Sequence, residues 1–326
     1  MTDLPLDQVR TLLAVVDHGT FDAAAAALHV TPSAVSQRVK ALEQRTGRVL
    51  LMRTKPVIPT GSGEVVVRYA RQVARLERDA FVELGVAGTG EPAPLSVAVN
   101  ADSLATWFLP ALTRVPADLR VCFELHREDE RHTTALLREG LVMAAVTASP
   151  DPVAGCSVRP LGYLRYLPVA TPGFAAQWAA DGSLADAPVV FFDRRDELQD
   201  RFARSLIGRD ASPHRHYVPS SEGFADAIAE GLGWGMVPHQ QAEARLRVGT
   251  LVELVPDRPL DVPLYWQQWK LDSPALTALA DAVTATAAQT LHRRPRKTRR
   301  EGGTPVGIPP STTDFNVAGP LSAQRE

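Results

Sequence analysis

Apolar residues recur at helical spacing from the start of the chain. Leu6, Val9, Leu12, Leu13 and Val16 share one face of a segment that Gly19 ends. Thr20 then offers a cap to "FDAAAAALHV", and Thr31 followed by Pro32 opens a third helix, "TPSAVSQRVKALEQ", which stops at Gly47. "RVLLMRTKPVIPT" predicts two short strands around Lys55-Pro56, a hairpin or wing. From Thr60 to about Leu84 there is no proline, and Val66, Tyr69, Val73, Leu76, Ala80 and Leu84 form an apolar seam on one long helix. Such a seam suits pairing with a second helix, although the core of a lone helical hairpin accepts it too. "GVAGTGEPAP" has the Gly and Pro content of a linker.

Beyond the linker, short apolar runs alternate with helical patterns. The runs predict strands over 95–100, 120–125, 142–147, 189–192, 216–218 and 235–237, with helices beginning near Ser103, Arg131, Pro172, Asp196, Ser221 and Pro274. Alternation of this kind implies an α/β domain built on a mostly parallel sheet. The expected organisation is three helices with a wing over 1–59, a long helix over 60–87, and an α/β unit over 88–291. Its two subdomains would take 92–165 with 269–291, and 166–268. From His292 onward the chain is basic and then rich in Pro, Gly, Ser and Thr, a disordered tail by composition.

Composition narrows the function classes. The 326 residues are 45% hydrophobic and 22% charged, as in a globular protein of two or three domains. No apolar run approaches the roughly 18 residues of a membrane span, and "MTDLPLDQVR" lacks the apolar core of a secretory signal. Cys122 and Cys156 lack CxxC spacing, which argues against zinc and disulfides and for the cytoplasm. No HExxH, GxSxG or Walker pattern occurs, and the glycines of "GLGWGM" follow a helix instead of a strand, so neither a catalytic set nor a cofactor or metal site is expected. A net charge of −2 means that any nucleic-acid binding is local to one segment.

The second and third helices with the turn between them make that segment. On the third helix Val35, Val39 and Leu42 face inward, while Ser33, Ser36, Gln37 and Lys40 face out. Small polar groups and a glutamine in the first exposed turns, just after Thr31 and Pro32, suit base edges in a major groove. Arg38, Lys40, Arg48, Arg53 and Lys55 suit phosphates. Read alone, the pattern also fits a solvated amphipathic helix.

At these residues the chain resembles a family. "LLAVVDHGTFDAAAAALHVTPSAVSQRVKALEQRTGRVLLMRT", followed by Thr60 and Gly63, is similar to the DNA-binding domain of LysR-type transcriptional regulators. Pro32 departs from it, because many members carry a base-contacting glutamine there, and the departure shifts weight to Ser33, Ser36 and Gln37. The resemblance implies promoter DNA as partner, a homodimer paired through linker helices, usually a dimer of dimers, and an effector domain of periplasmic-binding-protein type. RNA polymerase is the further partner expected of an activator.

Two strand-to-helix junctions carry the candidate effector chemistry. Asn100, Asp102 and Ser103 form one, and Ser220, Ser221 and Glu222 the other; helix starts on opposed subdomains suit an anion between them. Acids gather at strand ends: Asp102, the group Glu128-Asp129-Glu130, and Asp193. Each alone reads as a cap or a solvated charge; together they suggest a cleft that takes a molecule both cationic and anionic, a basic amino acid. The segments "LSVAVNADSLATWFLPAL", which adds Trp107 to the candidates, "APVVFFDRRDELQDRF", "VPSSEGFADAIAEGLGWGMVPHQQAE" and "PLYWQQWKLDSPAL" resemble the lysine- and arginine-responsive branch of the family (LysG/ArgP type). That resemblance implies sensing of lysine or arginine, with histidine as a further candidate, and activation of a basic amino-acid exporter gene. An inhibitor of chromosome replication initiation and a small-molecule binding protein without a DNA role are the alternatives.

Overall fold

The computed structural model describes residues 3–84, 93–127, 133–178 and 183–293. The N-terminal helices α1 (Leu6–His18), α2 (Phe21–Ala27) and α3 (Pro32–Thr46) begin where their caps predict. Thr20 Oγ accepts the Ala23 N–H at 3.1 Å and Thr31 Oγ that of Ala34 at 3.2 Å. Val9, Leu12, Val15, Ala24, Val35, Val39 and Leu42 close one small core, each large side chain contributing about 1.5–3 kcal/mol by burial. β1 (Leu51–Met52) and β2 (Ile58–Pro59) form the antiparallel wing, which Glu43 pins by accepting the Leu50 N–H at 2.9 Å.

Thr60 caps α4 (Gly61–Glu83), its hydroxyl accepting the Gly63 N–H at 3.1 Å. A Cβ on Gly63 would stand 2.0 Å from the Leu50 carbonyl oxygen, so only glycine lets α4 start this close to the wing. Val66, Val67 and Ala70 join the N-terminal core, whereas Val65, Tyr69, Leu76, Phe81 and Leu84 are exposed.

The second part opens with β3 (Ala93–Val99) and one continuous helical segment: α5 (Ala101–Ser103), a π-helical turn (Leu104–Phe108) and α6 (Leu109–Leu112). Then come β4 (Val121–Arg127), α7 (Thr133–Glu139), β5 (Ala144–Thr147), β6 (Cys156–Ala170), α8 (Pro172–Trp178) and β7 (Val189–Phe191). The chain continues through α9 (Leu198–Ile207), β8 (Arg215–Tyr217), α10 (Ser221–Ala229), β9 (Gly235–Pro238), α11 (His239–Val248), β10 (Val252–Glu253), β11 (Leu260–Trp269) and α12 (Pro274–Thr290). The main sheet has the order β10-β6-β11-β5-β3-β4, with β9 also on β6, and β7 pairs β8 in parallel.

This sheet corrects the expectation of a mostly parallel one. β3 is parallel to β4 and β5, but β6 and β11 are antiparallel to each other and to every other strand they pair. These two long strands, and α11, were outside the predicted elements. Pro160, Gly162, Pro168 and Pro263 interrupt their apolar pattern, and proline ordinarily demotes a strand. Here the long pairing, irregular between Leu264 and Tyr265, absorbs them. α11 buries Ala242 alone and so offers almost no helical periodicity.

β6 and β11 run through both lobes of the domain. β3, β4 and β5 pack with α7, α12 and the 101–112 segment on one side of the crossing; β9, β10 and the β7–β8 pair lie with α10 and α11 on the other. Trp107, Phe108, Tyr166, Trp234, Trp266 and Trp269 fill the core beneath, with Phe108 and Trp266 stacked at 6.5 Å.

Candidate functional site

A cavity of about 830 Å³ lies between the lobes, over β6 and β11. Asn100, Ala101 and Asp102 form one wall, Asp193, Asp196 and Glu197 the other, and Tyr166 and Val262 stand between them. Arg127, at the end of β4, and Arg195 and Arg201, beside and on α9, bring cations to the cavity lining.

Asp102 does not cap its helix. Its carboxylate turns across the cleft, where Oδ1 accepts from Ser221 Oγ at 2.6 Å and Oδ2 from Tyr166 Oη at 2.7 Å. Ser221 accepts in turn from Gln241 Nε2 at 3.0 Å, so a chain of hydrogen bonds joins α11, α10 and α5. Burial pushes the Asp102 carboxyl above the usual carboxylate range; the bonds from Ser221 and Tyr166 oppose that, and the charge of Glu222 adds to it.

Asp196 is the opposing carboxylate. Oδ2 accepts the Phe192 N–H and Oδ1 the Leu198 N–H, both at 2.9 Å, which fixes the group at the start of α9. Burial raises its pKa first of all; the backbone donors pull the other way, and the charge of Asp102 raises it further. Two acids in one cavity lining, with the charge of Asp102 opposing ionisation of Asp196, form a place for a cation.

The expected effector residues divide accordingly. Asn100, Asp102 and Asp193 stand in the cavity wall. Asp193 also spends Oδ1 on its own turn, accepting the N–H groups of Arg195 at 2.7 Å and Asp196 at 3.1 Å. Ser103 and Trp107 are corrected: they are 0% and 1% exposed and point into the core, Trp107 edge-on to Phe108. Trp107 lies within the π-helical turn and Ser103 directly before it. Ser220 caps α10 by accepting the Gly223 N–H at 3.2 Å, Ser221 is committed to Asp102, and Glu222 is exposed outside the cavity wall. The side chains of the two helix starts are thus joined by a cross-cleft hydrogen bond. Glu128, Asp129 and the tail from 294 lie outside the described residues. Tyr166, Asp196, Gln241 and the three arginines were not anticipated.

At the other end of the chain, α3 presents Pro32, Ser33, Gln37 and Lys40 to solvent with Ser36 half-buried beside them, while the Thr31 hydroxyl is spent on its cap. Arg48, Arg53 and Lys55 are exposed around the wing, Arg53 with its guanidinium 5.7 Å from the Phe21 ring centroid. Arg38, also of the expected phosphate set, is half-buried. It leans on α1, 3.5 Å from Thr11 Oγ and 3.8 Å from Asp7 Oδ2, and anchors α3 there.

Among the described residues no group of three metal-ligating side chains converges, and no helix is long and apolar enough to cross a membrane. His214, just before β8, and His216 on it bring their rings within 4.9 Å at a tilt of 53°, without a third ligand among those residues.

Residues 6–64 match the model of the bacterial regulatory helix-turn-helix proteins of the lysR family, and residues 89–288 that of the LysR substrate binding domain. The chain is 44% identical over 287 residues to the lysine export transcriptional regulatory protein LysG of Corynebacterium glutamicum, covering 87% of this chain and 98% of that protein. Among solved structures it resembles ArgP of Mycobacterium tuberculosis with a TM-score of 0.82 at 46% identity, over 88% of this chain and 98% of that one. Full-length LysG of C. glutamicum with bound effector Arg gives a TM-score of 0.78 at 43% identity, over 88% and 99%.

Proposed function

The chain belongs to the LysR family of transcriptional regulators, of LysG/ArgP type, and from that premise we propose that its cleft binds arginine or lysine and thereby changes how the protein acts at a promoter. The observation that carries this reading is the facing pair Asp102 and Asp196, both held above the usual carboxylate range by burial and each with its oxygens directed by fixed donors. A cationic side chain relieves their repulsion. Arg127, Arg195 and Arg201 offer partners for the α-carboxylate of the same molecule. A neutral amino acid answers only half of this charge pattern. The bound effector named in the C. glutamicum structure, Arg, supports the same class of ligand.

Ser33, Ser36 and Gln37 read base edges in this proposal, and Lys40, Arg48, Arg53 and Lys55 hold phosphates. The exposed apolar row on α4, Val65, Tyr69 and Leu76, pairs two copies of the chain, and two such dimers assemble on DNA with RNA polymerase as the partner to be recruited. The protein works in the cytoplasm as a sensor without catalysis or cofactor. Its regulated gene encodes an exporter of basic amino acids, a reading supported by the name of the C. glutamicum relative.

A melting-temperature panel with the twenty amino acids tests the sensor. A ligand that binds only the native state raises the melting temperature, so arginine or lysine is expected to give the largest rise. No rise from any basic amino acid removes the assignment.

A further inference from the structure

α7 reaches from the cleft to the linker helix. Thr134, in its first turn, stands in the cavity wall, and its last two residues present their carbonyls to α4. Arg68 Nη1 donates to the Arg138 carbonyl at 3.2 Å and Arg71 Nη1 to that of Glu139 at 3.4 Å, where the negative end of α7 favours a guanidinium. The close approach depends on the next residue. Gly140 has φ +73°, and a Cβ on it would lie 2.8 Å from Arg68 Cα.

The other end of the Arg71 guanidinium faces the DNA-binding unit. Nη2 donates to Asp17 Oδ1 at 2.7 Å, in the last turn of α1, and the arginine side chain is 18% exposed. α1 packs directly against α3, the helix that carries Gln37. One side chain thus touches both the helix that begins at the cleft and the helix that supports α3.

We propose that Arg71 is a positioning residue that transmits occupancy of the cleft to the DNA-binding unit, with α7 as the rigid lever between them. The proposal rests on the cleft being the effector site. From Thr134 to Glu139 the helix rises roughly 7.5 Å, so a shift of its first turn on ligand closure reappears at the Arg71 contact. Arg71 then moves Asp17, or releases it. Coupling of this sort needs one element that both sites bias, and α7 with Arg71 is continuous between them.

The test uses the full chain, l-arginine, and a DNA duplex selected by the parent protein from a random pool. Calorimetry gives arginine affinity without DNA, and the duplex affinity with and without saturating arginine gives a coupling ratio. For the parent a ratio of about 5–150 is expected. Arg71→Met and the gentler Asp17→Asn should each bind arginine alone, and duplex alone, within about twofold of the parent, yet bring the ratio within about twofold of one. The double variant should lose no more than either single one, because both remove the same contact. A parent ratio of one, or an unchanged ratio in both variants, overturns the proposal. Loss in Arg71→Met alone overturns the link through Asp17. Failure of arginine to bind the parent at all sinks the reading of the cleft itself, and the proposal with it.

Discussion

Ser221 donates to Asp102 at 2.6 Å, and because the two residues open helices on opposite walls of the cleft, this one bond ties the lobes together. With Tyr166 at 2.7 Å it also aims a carboxyl group whose pKa burial raises. Removing either donor, by Ser221→Ala or Tyr166→Phe, leaves a buried carboxylate short of a partner, at a cost of about 1–3 kcal/mol. Calorimetry should show arginine affinity falling by roughly 5–150-fold in each. An unchanged affinity in both would remove Asp102 from the ligand site.

The pH response follows from the same two acids. Asp102 and Asp196 both have folded-state pKa values above their usual range, so the unligated fold holds these protons more tightly than the unfolded chain does. Their contribution to stability is therefore greatest at acid pH and is lost as pH rises through the folded values. A cationic ligand needs the ionised forms. Arginine binding should release protons and tighten as pH rises until both acids are ionised. Titrations in buffers of different ionisation enthalpy check this, and proton uptake on binding would contradict it.

On α3, Gln37 is exposed on the face opposite the buried Val35, Val39 and Leu42. Gln37→Ala should cost about 1–3 kcal/mol of preference for the selected duplex over random DNA. Lys55→Ala should weaken binding to both about equally and lower the salt slope by about one. Footprinting and salt titration separate the two outcomes; equal losses on both duplexes for Gln37→Ala would exclude base reading.

The row Val65, Tyr69 and Leu76 is 55%, 38% and 44% exposed and lies on one face of α4, where a second copy would cover it. Leu76→Glu should move the sedimentation equilibrium toward monomer while the melting temperature of each unit changes little. A dimer of unchanged strength would exclude this face as the interface.

How far the sequence went depends on where local signals agree. In the N-terminal unit, caps at Thr20 and Thr31, the stop at Gly47 and the 3.6-residue period all mark the same boundaries, and the helices begin within a residue of them. In β6 and β11 the signals conflict: Pro160, Pro168 and Pro263 argue against strands that long-range pairing nevertheless builds. The site inherited that blindness. Tyr166 lies on β6 and Gln241 on α11, and both elements were outside the predicted ones. Asp193 drew attention as the first acid after a strand, yet its three-residue neighbour Asp196 takes the buried place because the turn folds its carboxylate back onto the Phe192 and Leu198 amides. Trp107 is packed in the core, within a π-helical turn that no residue spacing announces.

The central claim is that the Asp102 and Asp196 pair receives the charge of the effector. l-Citrulline has the length and shape of l-arginine without the charge, so calorimetric titration of both into the unmodified protein isolates that one property. A charge-assisted contact is worth about 1.5–3 kcal/mol, so arginine should bind at least about tenfold more tightly than citrulline. Equal affinities would contradict the account.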